Sequence, residues 1–169
     1  MAIITLTTDL GLKDYYVGAI KGAILSRLPQ AAIVDISHLV PTYNVQDAAY
    51  ILRNAYPSFP QGSVHIIGVR AESNRADAHV ALERDGHYFI GADNGIFSLL
   101  FDELPSRIVT LPKQVSTFPA RDVFVPAACS LVSGESLENI GTQRPGLLER
   151  MPFRAASMGD MIRGTVIYV

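Results

Sequence analysis

Several polar residues stand just beyond short apolar, β-branched runs, the place where open α/β sheets receive their ligands. Asp9 follows the run Ala-Ile-Ile-Thr-Leu at residues 2–6, inside Thr7-Thr8-Asp9-Leu10-Gly11. A carboxylate there can accept both hydroxyls of a ribose diol, and the same residue type also turns a chain by bonding its own backbone. Asp14 is either a second ligand carboxylate or a helix N-cap. Tyr43, in Pro41-Thr42-Tyr43-Asn44, either offers its ring to an adenine or a sulfonium carbon chain, or packs as a hydrophobic staple ahead of an Asn44 cap. Asp35, Ser37 and His38 close the next run, where a lone histidine reads as a turn or packing residue. His65 alternates within an apolar strand and reads as structural, as does the Arg121-Asp122 pair at a helix start. The chain has no G-x-G-x-x-G, Walker loop, H-E-x-x-H or G-x-S-x-G, which weakens the common nucleotide and hydrolase readings.

The elements that must carry these residues follow from periodicity. Residues 2–6, 31–36 and 63–69 are continuous apolar runs, read as buried strands. Between the first two, Val17, Ile20, Ile24 and Leu28 recur at spacings of three and four behind Asp14, an amphipathic helix with Pro29 beyond its end. Asn44 caps a second helix to about Tyr56, with Asp47 in its first turn. Strand, helix, strand, helix, strand implies right-handed crossovers and a mainly parallel sheet covered on both faces, an α/β fold. Residues 79–83 and 87–90 read as an antiparallel hairpin closed by Arg84-Asp85-Gly86. Asn94-Gly95 is a turn, or the start of a helix capped by Asp93 or Asn94. A strand at 107–111 and a helix from Asp122 to Ser133, ended by Gly134, come next; Pro126 fits that helix only near its first turn. Residues 141–161 show no periodicity and read as a connecting segment. The run Gly164–Val169 reads as the first strand of something further.

Composition sets outer limits. Of 169 residues, 49% are apolar and 18% charged, and mean hydropathy is +0.23. That is too apolar for disorder, and the length suits one full domain. A net charge of -2 with pI near 6.0 supplies no basic surface for a phosphate backbone, so no nucleic-acid partner is expected. Cys129 is the only cysteine, which excludes an intrachain disulfide and a Cys-based zinc cluster and favours a reducing compartment. No basic-then-apolar leader stands at the N-terminus, and no run approaches the roughly 18 apolar residues of a membrane span. The expectation is a cytoplasmic protein without a membrane partner.

Taken as an ordered series, Thr7-Thr8-Asp9-Leu10-Gly11, Asp14-Tyr15-Tyr16-Val17-Gly18, Lys21-Gly22, Ile33-Val34-Asp35-Ile36-Ser37-His38, Gly91-Ala92-Asp93-Asn94-Gly95 and Thr117-Phe118-Pro119-Ala120-Arg121-Asp122-Val123-Phe124 resemble one family. It is the S-adenosylmethionine (SAM) hydroxide adenosyltransferases, adenosine-forming SAM hydrolases grouped with SAM-dependent chlorinases and fluorinases. The resemblance covers about residues 3–141. It implies an N-terminal α/β SAM-binding domain over residues 1–162, with 163–169 starting a C-terminal β-barrel domain. It also implies a homotrimer whose ligand lies between the N-terminal domain of one subunit and the C-terminal domain of the next. SAM is then substrate or ligand, and no metal or other cofactor is expected. By the same resemblance Asp9 binds the ribose, Tyr43 contacts a ring, and Asn94, Thr117, Phe118, Ala120 and Arg121 line the pocket.

The family reaction is attack on the ribose C5′ of SAM by water, hydroxide or halide with expulsion of methionine. A sulfonium departs without acid assistance, so the protein need mainly desolvate and align the nucleophile, which can supply roughly 7–11 kcal/mol. Hydrolytic members hold the water with an Asp-Arg-His set, the Asp in a Val-Asp-Pro-Gly-Val-Gly stretch and the His in Thr-Phe-His-Gly-Arg-Asp. Here Val69-Arg70-Ala71-Glu72-Ser73-Asn74-Arg75 places Arg70 at the Asp position, and Pro119 stands at the His position. Arg75 can still represent the Arg, and Glu72 a displaced carboxylate; these are the catalytic candidates. The alternatives are a SAM-dependent halogenase and an inactive SAM or adenosine sensor.

Overall fold

The computed structural model describes residues 3–72, 78–151, 155–164 and 166. Strands β1 (Ile3–Thr8), β2 (Ala32–Ser37) and β3 (Val64–Gly68) pair in parallel in the order β2-β1-β3, and β5 (His87–Ala92) adds to β3, again in parallel. Beyond β5 the sheet turns antiparallel through β4 (His79–Arg84), β6 (Arg107–Thr110) and the two-residue β7 (Thr142–Gln143), making seven strands. The antiparallel half follows from the short Asp85-Gly86 turn, whose two residues both take positive φ as a tight hairpin demands.

Alternation along the strands supplies two cores. Ile4, Leu6, Val64, Ile66, Ala81 and Ile90 face α1 (Tyr16–Arg27), α4 (Val125–Val132) and α5 (Leu137–Ile140). Ile67, Val80, Leu82, Phe89 and Ile108 face α2 (Val45–Ala55) and α3 (Ile96–Leu100). Val17, Ile20 and Ile24 are the buried residues of α1, as their spacing requires. That helix begins later than the sequence indicates: Tyr15 holds the cap position without a side-chain bond, and Asp14 accepts the adjacent Tyr15 N–H at 2.7 Å. Asn44 does cap α2, accepting from the N–H groups of Gln46 and Asp47.

The helix containing Pro126 starts before Asp122, because a π turn over Ala120–Phe124 runs directly into α4. Proline lacks the N–H of an α-helical bond and crowds the carbonyl four residues back, and a wider turn ahead of it accommodates both defects. Gly134, at φ 93°, ends the helix, with Glu135 N–H donating to the Ser130 carbonyl. The stretch at 141–161 read as a connector instead holds β7 at its start, and at its end Ala156–Met158 (β8) pairs with Met161–Arg163 (β9) in a separate exposed hairpin. The strand expected at 164–169 falls mostly outside the described residues.

His65 is fully buried. Its Nδ1 lies 2.7 Å from Thr5 Oγ1, its Nε2 lies 3.2 Å from His87 Nδ1, and its ring stacks on Phe89 at 4.8 Å. Burial, with a smaller push from His87, lowers its pKa from 6.5 to about 3; burial lowers His87 as well. The folded protein therefore keeps His65 neutral while the unfolded chain takes up a proton below about pH 6.5. This stability is complete above pH 6.5 and is lost as pH falls toward 3, by about 1.4 kcal/mol per pH unit for one such group. Urea unfolding between pH 7 and pH 5 should show that decline, and His65→Asn should flatten it; an unchanged slope in the variant would assign the decline elsewhere.

Candidate functional site

The chain leaves β1 for β2 by way of α1 on one face, then returns past β1 to β3 by way of α2 on the other. The loops after β1 and β3 thus diverge to opposite faces and open a crevice at their carboxyl ends, the place where such sheets bind ligands. Asp9 lies in that crevice, half-buried. Its Oδ2 accepts the backbone N–H of Tyr43 at 2.8 Å and of Arg70 at 3.2 Å. Both donors sit in the left-handed region, Tyr43 at φ 63° and Arg70 at φ 45°, where a side chain costs about 1–3 kcal/mol. Among the described residues nothing hydrogen-bonds Oδ1, so the carboxylate is oriented through one oxygen and offers the other.

A second set of bonds fixes the strand below. Thr8 Oγ1 and His38 Nδ1 are 2.8 Å apart, and the His38 carbonyl accepts the N–H of Gly11 at 2.8 Å. His38 Nε2 lies 3.1 Å from Asp35 Oδ1, off the line of a good hydrogen bond, and Lys21 donates to Asp35 Oδ2 at 2.6 Å. Burial pushes the Asp35 carboxyl up, but Lys21 and His38 outweigh it and hold the group below its ordinary range. His38 is thus a packing and bracing residue, as its lone position indicates. Thr7 Oγ1 is buried without a partner among the described residues.

Asn94, 1% exposed, donates from Nδ2 to the carbonyls of Val69 (3.1 Å) and Arg70 (3.2 Å) and accepts the Ile96 N–H on Oδ1. The cap position of α3 is held by Gly95, at φ 92° and without a side-chain bond, rather than by Asp93 or Asn94; Asn94 instead holds the turn that aims Arg70 N–H at Asp9. Asp93, beside it, accepts Leu148 N–H at 2.8 Å and pairs with Arg144 at 2.8 Å, tying residues 144–148 to this end of the sheet.

The opposite wall comes from the start of the π turn. Gly68 lets it approach: a Cβ there would lie 3.1 Å from Thr8 Cγ2 and 3.3 Å from Ala120 Cβ. Phe118 meets the Tyr16 ring edge-on at 5.1 Å and carries the Arg121 guanidinium over its face at 5.1 Å. Arg121 Nε donates to Asp122 at 2.6 Å, and Ser116 Oγ donates to the other Asp122 oxygen. Thr117 is exposed, Tyr43 is 59% exposed, and Glu72 is exposed at the edge of the described β3–β4 loop. Arg75 lies outside the described residues. The structure therefore brings Asp9 and Tyr43 together directly, links Asn94 to them by way of Arg70, and places Phe118, Ala120 and Arg121 on the facing wall.

Residues 4–141 match the family model described as the SAM hydroxide adenosyltransferase N-terminal domain. The chain belongs to this family. As a SAM hydroxide adenosyltransferase domain it is 38% identical over 149 residues to the (R)-S-adenosyl-L-methionine hydrolase of Methanocaldococcus jannaschii, covering 82% of this chain and 54% of that protein. The hydrolase of that name from Thermus thermophilus is 34% identical over 162 residues, 86% of this chain and 63% of the relative. A fluorinase of Nocardia brasiliensis is more distant, 25% identical over 82% of this chain and 57% of its own. The crystal structure of an uncharacterized conserved protein from Thermotoga maritima superposes with a TM-score of 0.83 at 28% identity, over 92% of this chain and 63% of the other. The chain thus spans between half and two thirds of these proteins. Among the described residues no helix is long and apolar enough to cross a membrane.

Arg70 and Pro119, the two positions at which the sequence is expected from the resemblance to depart from the hydrolytic set, both lie at this site. Arg70 gives its backbone N–H to Asp9, whatever its side chain does, and Pro119 stands buried at the helix start with neither an N–H nor a ring nitrogen to donate. Asn94→Ala would leave one buried and one partly buried carbonyl and one N–H without their side-chain partner, which should cost about 1–3 kcal/mol in urea unfolding and speed hydrogen exchange at the Arg70 amide. Equal exchange at Arg70 in the variant would show that Asn94 does not hold the turn.

Proposed function

We infer that the protein is a SAM hydrolase. The observation that carries this reading is the Asp9 carboxylate, fixed through Oδ2 by two left-handed backbone amides with Oδ1 open, in a chain whose relatives at 34–38% identity are named as SAM hydrolases. In this reading Asp9 accepts the ribose hydroxyls of SAM, and the Tyr43 ring packs beside the nucleoside. Phe118 and Ala120 close the apolar side on which the nucleophile sits. Water or hydroxide attacks C5′ opposite the sulfur; a C–O bond forms, the C–S bond breaks, and its electron pair leaves with the neutral thioether of L-methionine. Glu72 takes the proton of the attacking water, and Arg75 orients it. No cofactor enters the chemistry. The protein works in the cytoplasm as a homotrimer, with the site completed across a subunit interface.

One observation favours a second reading. With Pro119 and Arg70 at two positions of the hydrolytic Asp-Arg-His set, the site retains its nucleoside holder but loses groups that steady water. Such a protein binds SAM or adenosine as a sensor.

Incubation with SAM in chloride-containing and chloride-free buffer, followed by chromatography, separates these readings. Adenosine and methionine in equal amounts establish the hydrolase, chloro-adenosine establishes a halogenase, and intact SAM that co-purifies establishes the sensor. Asp9→Ala should weaken adenosine binding at least ten-fold by calorimetry in every case, since it removes charge-assisted hydrogen bonds worth about 1.5–3 kcal/mol each. Unchanged affinity would take Asp9 out of the site. If the hydrolytic pocket is otherwise intact, Pro119→His should raise adenosine formation.

A further inference from the structure

Outside the Asp9 crevice, a cavity of about 300 Å³ opens between Tyr43–Gln46 at the start of α2, Leu99 of α3, and Arg150 with Met151. Its volume is at the lower end of small-molecule sites. The only charged side chain among its lining residues is Arg150, and no carboxylate lines it. Among the described residues the Arg150 guanidinium has no ion pair and no hydrogen bond.

Arg150 is exposed, yet its backbone and stem are held in place. Arg150 N–H donates to Ser98 Oγ at 2.8 Å, and Ser98 Oγ in turn donates to the Gly95 carbonyl at 2.9 Å. The aliphatic stem of Arg150 lies on Gly95: a Cβ at that position would overlap Arg150 Cγ and Cδ and stand 2.8 Å from Nε. The segment leading to it is secured by Asp93 through Arg144 and the Leu148 N–H. An ordinary surface arginine spends side-chain entropy and gains little. Here a backbone anchor, a glycine cradle and a buried carboxylate that secures the segment set up a cation whose counter-charge no described residue supplies. The start of α2 does not compete for that role, because Asn44 already satisfies the N–H groups of Gln46 and Asp47.

We propose that this cavity is an anion subsite, in which Arg150 receives the carboxylate or phosphoryl group of a small molecule while Tyr43 and Leu99 contact its apolar part. Planar, forked donors suit both oxyanions. The subsite shares Tyr43 with the proposed nucleoside site but not the Asp9 carboxylate, and it does not depend on SAM being the ligand there.

The test is amide NMR of the full chain titrated with sodium acetate, with inorganic phosphate, and with sodium chloride at matched ionic strength. Saturable shifts at Gln46, Ser98, Leu99 and Met151 are expected with acetate or phosphate and not with chloride, the better anion distinguishing a carboxylate from a phosphoryl ligand. Arg150→Gln should weaken that saturation at least ten-fold, and Ser98→Ala, which frees the anchor, about three-fold. Shifts that follow ionic strength alone, or that persist in Arg150→Gln, would overturn the subsite. Adenosine titrated separately reports on Asp9, so failure there leaves the anion result standing.

Discussion

One carboxylate oxygen holds the working end of this molecule together. Asp9 Oδ2 collects amides from the loop before α2 and the loop after β3, so three separate chain segments meet at a single acceptor. Neither donor residue is a glycine, and both are forced to positive φ to reach it. Strain of this kind survives only where surroundings over-determine it. Here the Asn94 amide on the Val69 and Arg70 carbonyls, and the capped start of α2 behind Tyr43, supply that constraint. Removal of the carboxylate would release two loops at once.

The chemistry proposed for this site is modest, and the apolar facing wall fits that demand. A sulfonium carries its own leaving-group activation, so alignment and exclusion of bulk water matter more than proton transfer. The wall of Phe118, Pro119 and Ala120 is apolar and is pressed against β1 and β3 by the absence of a side chain at Gly68. Pro119 keeps that wall apolar and supplies no proton carrier.

Much of the fold was legible because apolar spacing and turn residues agree: Val17, Ile20 and Ile24 mark α1, Asn44 marks α2, and Arg84-Asp85-Gly86 marks the hairpin. The exposed β8–β9 hairpin was not, since strands of three residues with no buried face leave no alternation to read. The early start of the last long helix was hidden by Pro126, which argues for a later N-terminus unless a wider turn precedes it. At the site, Asp9 stood out as a strand-end carboxylate. Its partners did not, because a backbone amide carries no residue signature and neither Tyr43 nor Arg70 is a type that marks left-handed geometry. Arg150 lay in a stretch without periodicity, and only its packing on Gly95 distinguishes it.

The π turn at Ala120–Phe124 has a consequence for how relatives of this chain can diverge. Such a turn is an α-helix carrying one surplus residue. Loss of a single codon there would restore regular winding without breaking the helix, yet it would swing everything before the turn by about 100° relative to the buried face of α4. Phe118 and Ala120 would leave the crevice while Ala128 and Leu131 kept their places in the core. Small length changes at this point are thus a route by which the wall of the crevice can be rewritten independently of the stability of the domain.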